Sequence, residues 1–443
     1  MSENTHYSDK LINDQNKHLI TMFPTLLIIA TYLIGMYFLV FWYLSVLDKD
    51  YQAPKQGWEK INKFPSVTVV IPAYNEEKNI ASTMKSVISL NYPKDKLKVI
   101  VVNDGSKDRT KEKAEEFIKA HPDRSILLLS QPNSGKARAI NNALSHTTTE
   151  FFVNLDADSE VHPDTLKKMI HIFQTHSAGE NLAIVTPAMM VKSPANLIQG
   201  IQYVEYMFTI FISRILSRNN SIYVAPGPFS VYRTEIIKKI GTFDEGNLTE
   251  DQEIAYRAKS LGYDIKNCAD AFVYTRSPRT IKALFRQRNR WYKGGLMNAW
   301  QYKKMLFNKK YGHFGCFQLP FNFIGYGLGI AALGFFGYFT LKPFFRGIKN
   351  LFIVGFDIKP YLRNLFRFDF NILDYNFMLG FFIAFSMLII LFFLFRVFRD
   401  YQVRLSRKNI ISLIPYLFFF PVFQGFTIAV VLIELVFKKV QKW

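Results

Sequence analysis

Cysteine is almost missing from this chain. Two occur in 443 residues, Cys268 and Cys316, with no Cys-x-x-Cys spacing and no histidine cluster beside either. A disulfide framework and a thiolate zinc site are therefore excluded. The Gly-x4-Gly-Lys-Ser/Thr spacing is also missing around Gly135-Lys136, so there is no P-loop. No internal repeat or low-complexity tract is evident, which removes solenoid and linker architectures. Acidic residues are the minority, 35 against 55 Lys and Arg, for a formal net charge of +20. That surplus is compatible with nucleic-acid binding. Here, however, the basic residues gather beside apolar stretches, the pattern of loops facing the cytoplasm and anionic headgroups. Nucleic acid is not an expected partner; a lipid bilayer is, and an anionic substrate would be drawn by the same field.

What the chain has in abundance is apolar and aromatic surface, 49% and 16% of residues, concentrated near its start and in its last third. After a tail over 1–19, residues 20–47 run almost without charge, enough to cross a hydrocarbon core of about 30 Å. The run is too long for a signal peptide and no small-residue cleavage site precedes Asp48, so an uncleaved transmembrane helix is expected. Further apolar stretches over 317–340, 377–395 and 410–437 place about three spans in a C-terminal membrane region, 317–443. With the middle of the chain cytoplasmic, Arg396, Arg399, Arg404, Arg407 and Lys408 fall inside, as charge bias requires. Residues 342–367 and Lys438-Lys439 are basic too, so the C-terminal topology stays open, with a re-entrant or interfacial segment as the alternative.

Between residues 66 and 182, short apolar runs at 67–71, 98–102, 126–129 and 151–155 alternate with helical patterns such as 79–90 and 110–119. This alternation predicts an α/β domain whose parallel strands are covered by helices on both faces, with ligands at the carboxyl ends of the strands. Tyr74 and Glu76 follow the first strand, Asp104 the second, and Asp156 and Asp158 the fourth. Residues 196–218 and 280–307 have the apolar spacing and aromatic content of helices lying at a membrane face, with a core helix of the soluble domain as the alternative for the first.

Each acidic motif has a chemical reading and a plain one. Asp156-Ala157-Asp158 puts two carboxylates at one strand end, where like charges call for a cation; Mg²⁺ or Mn²⁺ takes one or two carboxylates and completes its shell with water and substrate phosphates. A solvated strand-end turn is the plain reading. Asp104-Gly105 suits a tight turn. Gly135-Lys136 opens a helix and offers positive potential to phosphate. Thr249 fits an N-cap position with Glu250 and Asp251 in the first turn. In Gln287-Arg288-Asn289-Arg290-Trp291, Gln287 and Trp291 share a helical face with Arg290 beside them. An arginine can clamp a diphosphate, and a tryptophan can stack on a sugar ring; an interfacial tryptophan on an amphipathic helix is the alternative.

Taken in order, Asp156-x-Asp158, Thr249-Glu250-Asp251 and Gln287-x-x-Arg290-Trp291 between hydrophobic spans resemble the processive family-two glycosyltransferases, the synthases of cellulose, chitin, hyaluronan and poly-N-acetylglucosamine. The resemblance runs from about residue 66 to 300. It implies a cytoplasmic nucleotide-sugar-binding GT-A domain over 66–312, a mixed sheet covered by helices, inserted between transmembrane helices. It implies that Tyr74, Glu76, Asp104, Lys136, Asp156, Gln287, Arg288 and Trp291 bind donor or acceptor, and that Asp158 holds the metal. Asp251 is implied as the general base, in a catalytic set with Glu250 and Arg290. The 225–233 string, Ala-Pro-Gly-Pro-Phe-Ser-Val-Tyr-Arg, is similar to the acceptor-lining loop of bacterial hyaluronan synthases.

The expectation is a multi-pass enzyme of the cell membrane that inverts the anomeric carbon of a UDP-sugar, adds the sugar to a β-linked polysaccharide and helps export it. Departures are visible. Ala73 stands where such chains often carry Thr, and neither the Phe-x-Val-Thr-x-Lys gating loop of cellulose synthases nor a C-terminal Trp-Gly-Thr signature is present. A homo-oligomer or a small accessory membrane subunit is therefore an open route to a channel. Two other functions remain in view: transfer of one sugar to a polyprenyl phosphate or glycolipid, and an inactive membrane scaffold or glycan-binding subunit.

Overall fold

The computed structural model describes residues 63–177, 179–353 and 407–437, with isolated positions among 33–45, at 61, at 355–356 and among 384–399. The chain divides into two units, Pro54–Leu333 with Arg404–Trp443, and Met1–Ala53 with Gly334–Val403.

The first unit is built on one eight-stranded sheet: β1 (Val67–Ala73), β2 (Leu97–Asp104), β3 (Ser125–Gln131), β4 (Phe151–Asn154), β5 (Glu160–Val161), β6 (Leu182–Val191), β7 (Ser230–Arg233) and β8 (Asp264–Thr275). Their spatial order is β3-β2-β1-β4-β7-β6-β8-β5. The four strands expected from apolar runs pair in parallel. Beyond them, β7 lies antiparallel to both β4 and β6, β8 is parallel to β6, and β5 is antiparallel to β8. The sheet is mixed.

Alternation along the strands explains why both faces are covered. Val67, Val69 and Ile71 enter one core with Ile80, Met84, Val87 and Ala114, while Val70, Ile100 and Val102 enter a second with Ile140 and Leu144. The first core is closed by α1 (Ile80–Ile88), α2 (Thr110–Ala120) and α4 (Thr165–Thr175); α3 (Lys136–Ser145), α6 (Thr234–Ile240) and α7 (Glu250–Ser260) close the second. The chain leaves β1 toward β2 and β3 on one side, while β4 lies on β1's other side. The carboxyl ends of β1 and β4 thus flank a topological switch point.

Four further helices extend this unit: α5 (Leu197–Arg218), α8 (Ile281–Gln301), α11 (Arg407–Phe418) and α12 (Phe420–Val436). The two helices expected at a membrane face both form, each with one face packed on protein. α5 packs on β6, β8 and α11, with Phe208 stacked on Tyr416 at 5.5 Å; α8 packs on α7 and α12. The face that α8 buries is largely polar, including Arg288, Asn289, Lys293 and Asn298. Lys293 Nζ meets Glu434 Oε2 of α12 at 2.5 Å, and Asn289 donates to the same oxygen at 3.2 Å. Helix α8 stops at Gln301 rather than 307; short 3₁₀ turns follow at Lys303–Met305 and Lys309–Tyr311.

Among the described residues, one helix, Phe314–Phe336, is long and apolar enough to cross a membrane; it ends in α9 (Leu319–Phe336). The stretch expected as a single span over 410–437 is instead bent by 42° between Ile411–Phe418 and Phe420–Val436, and would be a second span only if that pair is taken together. The break falls where Pro421 has no N–H to return to the preceding turn. The spans expected over 20–47 and 377–395 lie mostly outside the described residues. In the second unit, α10 (Lys342–Ile353) carries the basic residues after α9 as an exposed helix.

Candidate active site

Parallel pairing of β1 with β2 brings their exit loops side by side, and hydrogen bonds knit them. Ser106 Oγ accepts from the Asn75 amide at 3.1 Å, Asn75 Oδ1 accepts from the Lys107 amide at 2.8 Å, and Thr110 Oγ1 accepts from the Glu76 amide at 2.7 Å. Asn75 takes a positive φ of 56° to make this turn, which asparagine tolerates. Tyr74, beside it, is exposed.

Asp104, buried at the end of β2, spends its carboxylate on the next loop. It accepts from Gln131 Nε2 at 2.8 Å and from the Ser134 and Gly135 amides, each at 2.9 Å. These bonds fix the entrance to α3 and therefore the root of Lys136. A cavity of about 600 Å³ opens outside this loop, lined by Gln131, Ser134, Arg138 and Asn141 among others.

Lys136 reaches inward. Its Nζ stands 2.5 Å from Asp156 Oδ1 and 3.4 Å from Glu250 Oε1. Burial works against its charge, but Asp156, Glu250 and Asp251 outweigh it and hold the ammonium firmly protonated, its pKa above the usual lysine range. The acids are crowded as well. Burial, then Asp156 and Glu76, push Asp158 up to about 6, with the Ser159 hydroxyl bonded to it at 3.1 Å. Burial also raises Glu76; the Asn79 amide and Arg276 oppose that shift, and Asp108 and Asp156 add to it. Asp251 is pushed up to about 6 by burial and by Glu250, against the pull of Lys136 and Arg290.

The 225–233 loop closes over this cluster. The Ala225 amide donates to the Asp251 carbonyl at 3.1 Å and the Phe229 amide to the Asn154 carbonyl at 2.7 Å, so the loop is pinned both to α7 and to β4. A Cβ at Gly227 would lie 2.5 Å from Lys136 Nζ and 3.0 and 3.1 Å from the two Asp156 carboxylate oxygens. Only glycine fits without moving that pair. In Gly227→Ala, the displaced lysine should cost about tenfold or more in turnover while the folded chain survives. Activity and melting temperature measured side by side check this, and an unchanged rate would show that the ion pair tolerates displacement.

The structure thus gathers Glu76, Lys136, Asp156, Asp158, Glu250, Asp251 and Arg290 into one electrostatically coupled cluster. Gln287 stands one turn before Trp291 on α8, its Oε1 buried without a hydrogen-bond partner among the described residues. Arg288 departs from the expectation of a nucleotide-binding residue. Its guanidinium is buried, bonded to Glu205 Oε2 of α5 at 2.6 Å, and lies 4.2 Å from the Trp291 ring centroid. Thr249 does occupy the N-cap position of α7, with Glu250 and Asp251 in the first turn, but its hydroxyl makes no capping bond and accepts instead from Asn298 Nδ2 at 3.0 Å. Arg276, just past β8, acts on Glu76 and was not foreseen, because nothing in its local sequence tells where β8 ends.

Among the described residues no group of three or more His, Cys, Asp or Glu is placed to hold a metal ion. The donor set nevertheless fits a hard divalent cation. Asp158 is an acid raised by burial and then by Asp156 and Glu76, and such ions commonly take one or two carboxylates with substrate phosphates supplying the rest.

Comparison with known proteins agrees with this architecture. The chain is 29% identical over 255 residues to poly-beta-1,6-N-acetyl-D-glucosamine synthase of Staphylococcus epidermidis, a match covering 57% of this chain and 60% of that one. It therefore spans about three fifths of that relative's length. It is also 29% identical over 307 residues to the probable glycosyltransferase YdaM of Bacillus subtilis, covering 67% and 68% of the two chains. Among solved structures it resembles mannosyltransferase PcManGT from Pyrobaculum calidifontis, determined in complex with GDP-Man and Mn²⁺, at a TM-score of 0.54 and 21% identity over 68% of this chain and 80% of that one; the two share a GT-A-like fold. The profile described as "Glycosyltransferase like family 2" matches residues 65–294, more than half of the chain, so the protein belongs to glycosyltransferase family 2.

Proposed function

We propose that the chain is a membrane-embedded inverting glycosyltransferase that transfers a sugar from a UDP-sugar to the growing end of a β-linked polysaccharide and helps export the product. The observation that carries this reading is the cluster in which Asp251, raised to about 6, shares the field of Lys136 and Arg290 beside the loop of Asp156 and Asp158.

In the proposed reaction the acceptor hydroxyl attacks C1 of the donor sugar and Asp251 takes its proton. The C1–O bond to the diphosphate breaks, UDP leaves with the bonding pair, and attack from the opposite face inverts the anomeric centre. An acid of pKa about 6 is ionised at neutral pH and is more basic than an ordinary carboxylate. Lys136 and Arg290 offset the charge that gathers on the departing diphosphate. An incoming diphosphate would compete with Asp156 and Glu250 for the Lys136 ammonium. Mg²⁺ or Mn²⁺ held at Asp158 with Asp156 would neutralise the phosphates. The loops of Tyr74, Glu76 and Asp104 would frame the nucleoside, and Gln287 and Trp291 the acceptor end. Similarity to poly-N-acetylglucosamine synthases favours N-acetylglucosamine as the transferred sugar.

The test is UDP release by the reconstituted full chain from a panel of UDP-sugars with Mg²⁺ or Mn²⁺, followed by sizing of the product. UDP-N-acetylglucosamine should give the fastest release and a polymer. Because the base must be deprotonated, kcat should be level at neutral pH and fall about tenfold per pH unit below about 6. Label confined to a one-sugar lipid would establish the glycolipid alternative, and no UDP release from any donor would favour a scaffold.

A further inference from the structure

Helix α8 grips the segment ahead of Asp251 along one stripe. Arg290, Gly294 and Asn298 recur every four residues and so share a helical face. Arg290 Nη1 donates to the Leu248 carbonyl at 3.1 Å. A Cβ at Gly294 would fall 2.3 Å from Thr249 Oγ1, so the helix backbone lies directly against that side chain. One turn on, Asn298 Nδ2 donates to Thr249 Oγ1 at 3.0 Å, and its Oδ1 accepts from Asn247 Nδ2 at 2.8 Å. Asn247 Oδ1 in turn accepts from the Thr249 amide at 3.0 Å, closing a ring of three residues.

Asn298 is 0% exposed and Thr249 5%. Asn247 is half-buried, but a shift of the buried pair Thr249 and Asn298 would strand a donor or acceptor without water to replace its partner, so their bond favours one arrangement. The Thr249 carbonyl accepts from the Gln252 and Glu253 amides, so the first turn of α7, which carries Asp251, starts on the residue that the ring holds.

We propose that Asn298 is a positioning residue for sugar transfer: through the ring with Thr249 and Asn247 it fixes Asp251 and Arg290 relative to each other, so that base and leaving-group cation meet the reacting sugar as one rigid constellation. Asn298 lies outside the Gln-x-x-Arg-Trp string and hydrogen-bonds none of the clustered acids. The inference rests on Asp251 acting as the base.

Thr249→Val keeps the side chain's shape and removes its hydroxyl; Asn298→Ala removes the amide; Thr249→Ser restores the hydroxyl without the methyl. In the reconstituted full chain, Thr249→Val and Asn298→Ala should each lower kcat about ten- to a hundredfold. Donor KM and UDP affinity should stay within about twofold of the parent, and Thr249→Ser should retain most of the rate. The double variant Thr249→Val/Asn298→Ala should be no slower than the slower single variant, since both break the same ring. Parental kcat in Thr249→Val with only a lower melting temperature overturns the proposal, because the ring would then merely fasten the fold. An equal loss of UDP affinity also overturns it, because the ring would then shape the nucleotide site. Asp251→Asn run alongside separates the two claims: if it keeps turnover, the base assignment fails, whereas an inactive Asp251→Asn beside fully active ring variants removes only the positioning role. Should Asn298→Ala not fold, the near-isosteric Thr249→Val decides.

Discussion

Asp251→Asn should lower kcat by about a thousandfold while leaving UDP affinity and the folded state intact. The substitution is nearly isosteric, and its amide oxygen can still accept from the Gln252 amide, a bond that Asp251 Oδ1 makes at 2.8 Å. The main-chain bond from Ala225 to residue 251 does not involve the side chain. What disappears is the capacity to take a proton. One negative charge also leaves a region where Glu250 and Asp156 disfavour it, so thermal stability should hold or rise. A rise in melting temperature together with loss of turnover would separate chemistry from folding. Isothermal titration with UDP completes the test: if UDP binding is lost with the rate, residue 251 belongs to the nucleotide site and is not the base.

Arg290→Ala should cost about a hundred- to a thousandfold in kcat, the range for removing a fixed donor from a site of developing negative charge. It should also move the acid limb of the pH profile. Arg290 favours the ionised form of Asp251; without that cation the carboxyl holds its proton to higher pH, so the limb should shift above the parental value of about 6. Arg290→Lys keeps the charge but loses the fork and the bond to the Leu248 carbonyl, and should fall between the two. The rate of UDP release across pH for all three chains checks this. A limb that stays in place when the arginine goes would mean that Arg290 exerts no field on the base, and its role would reduce to holding the 248 turn.

Much of this site was legible because its logic is local. Parallel strands read as apolar runs, so 67–71, 98–102, 126–129 and 151–155 declared themselves, the third as the half-exposed edge strand β3 rather than a buried one, and with them came the strand-end positions of Glu76, Asp104, Asp156 and Asp158. Residues whose roles depend on distant partners were not legible. Two arginines stand in the Gln287–Trp291 string, and only the packing of α5 shows that Arg288 is taken by Glu205. Thr249 does stand at the N-cap of α7 as its sequence suggests, but the partner of its hydroxyl, Asn298, lies on another helix that the local sequence does not show. Gly227 was part of a recognised loop, yet its need for glycine comes from Lys136 and Asp156, far away in sequence. The bend at Phe419 hides in an apolar run whose composition alone suits a straight span.

The final helices are not an appendage to the catalytic sheet. Residues 404–443 belong to the same unit as 54–333, and Glu434 supplies an acid to Lys293 in the interior of α8, the helix that also carries Gln287, Arg290 and Trp291. During synthesis, the eight strands of the sheet leave the ribosome long before that acid exists. The face of α8 that carries Lys293 and Asn289 therefore gains its partner only after the sheet has formed, and removing α12 should disturb α8 before it disturbs the sheet.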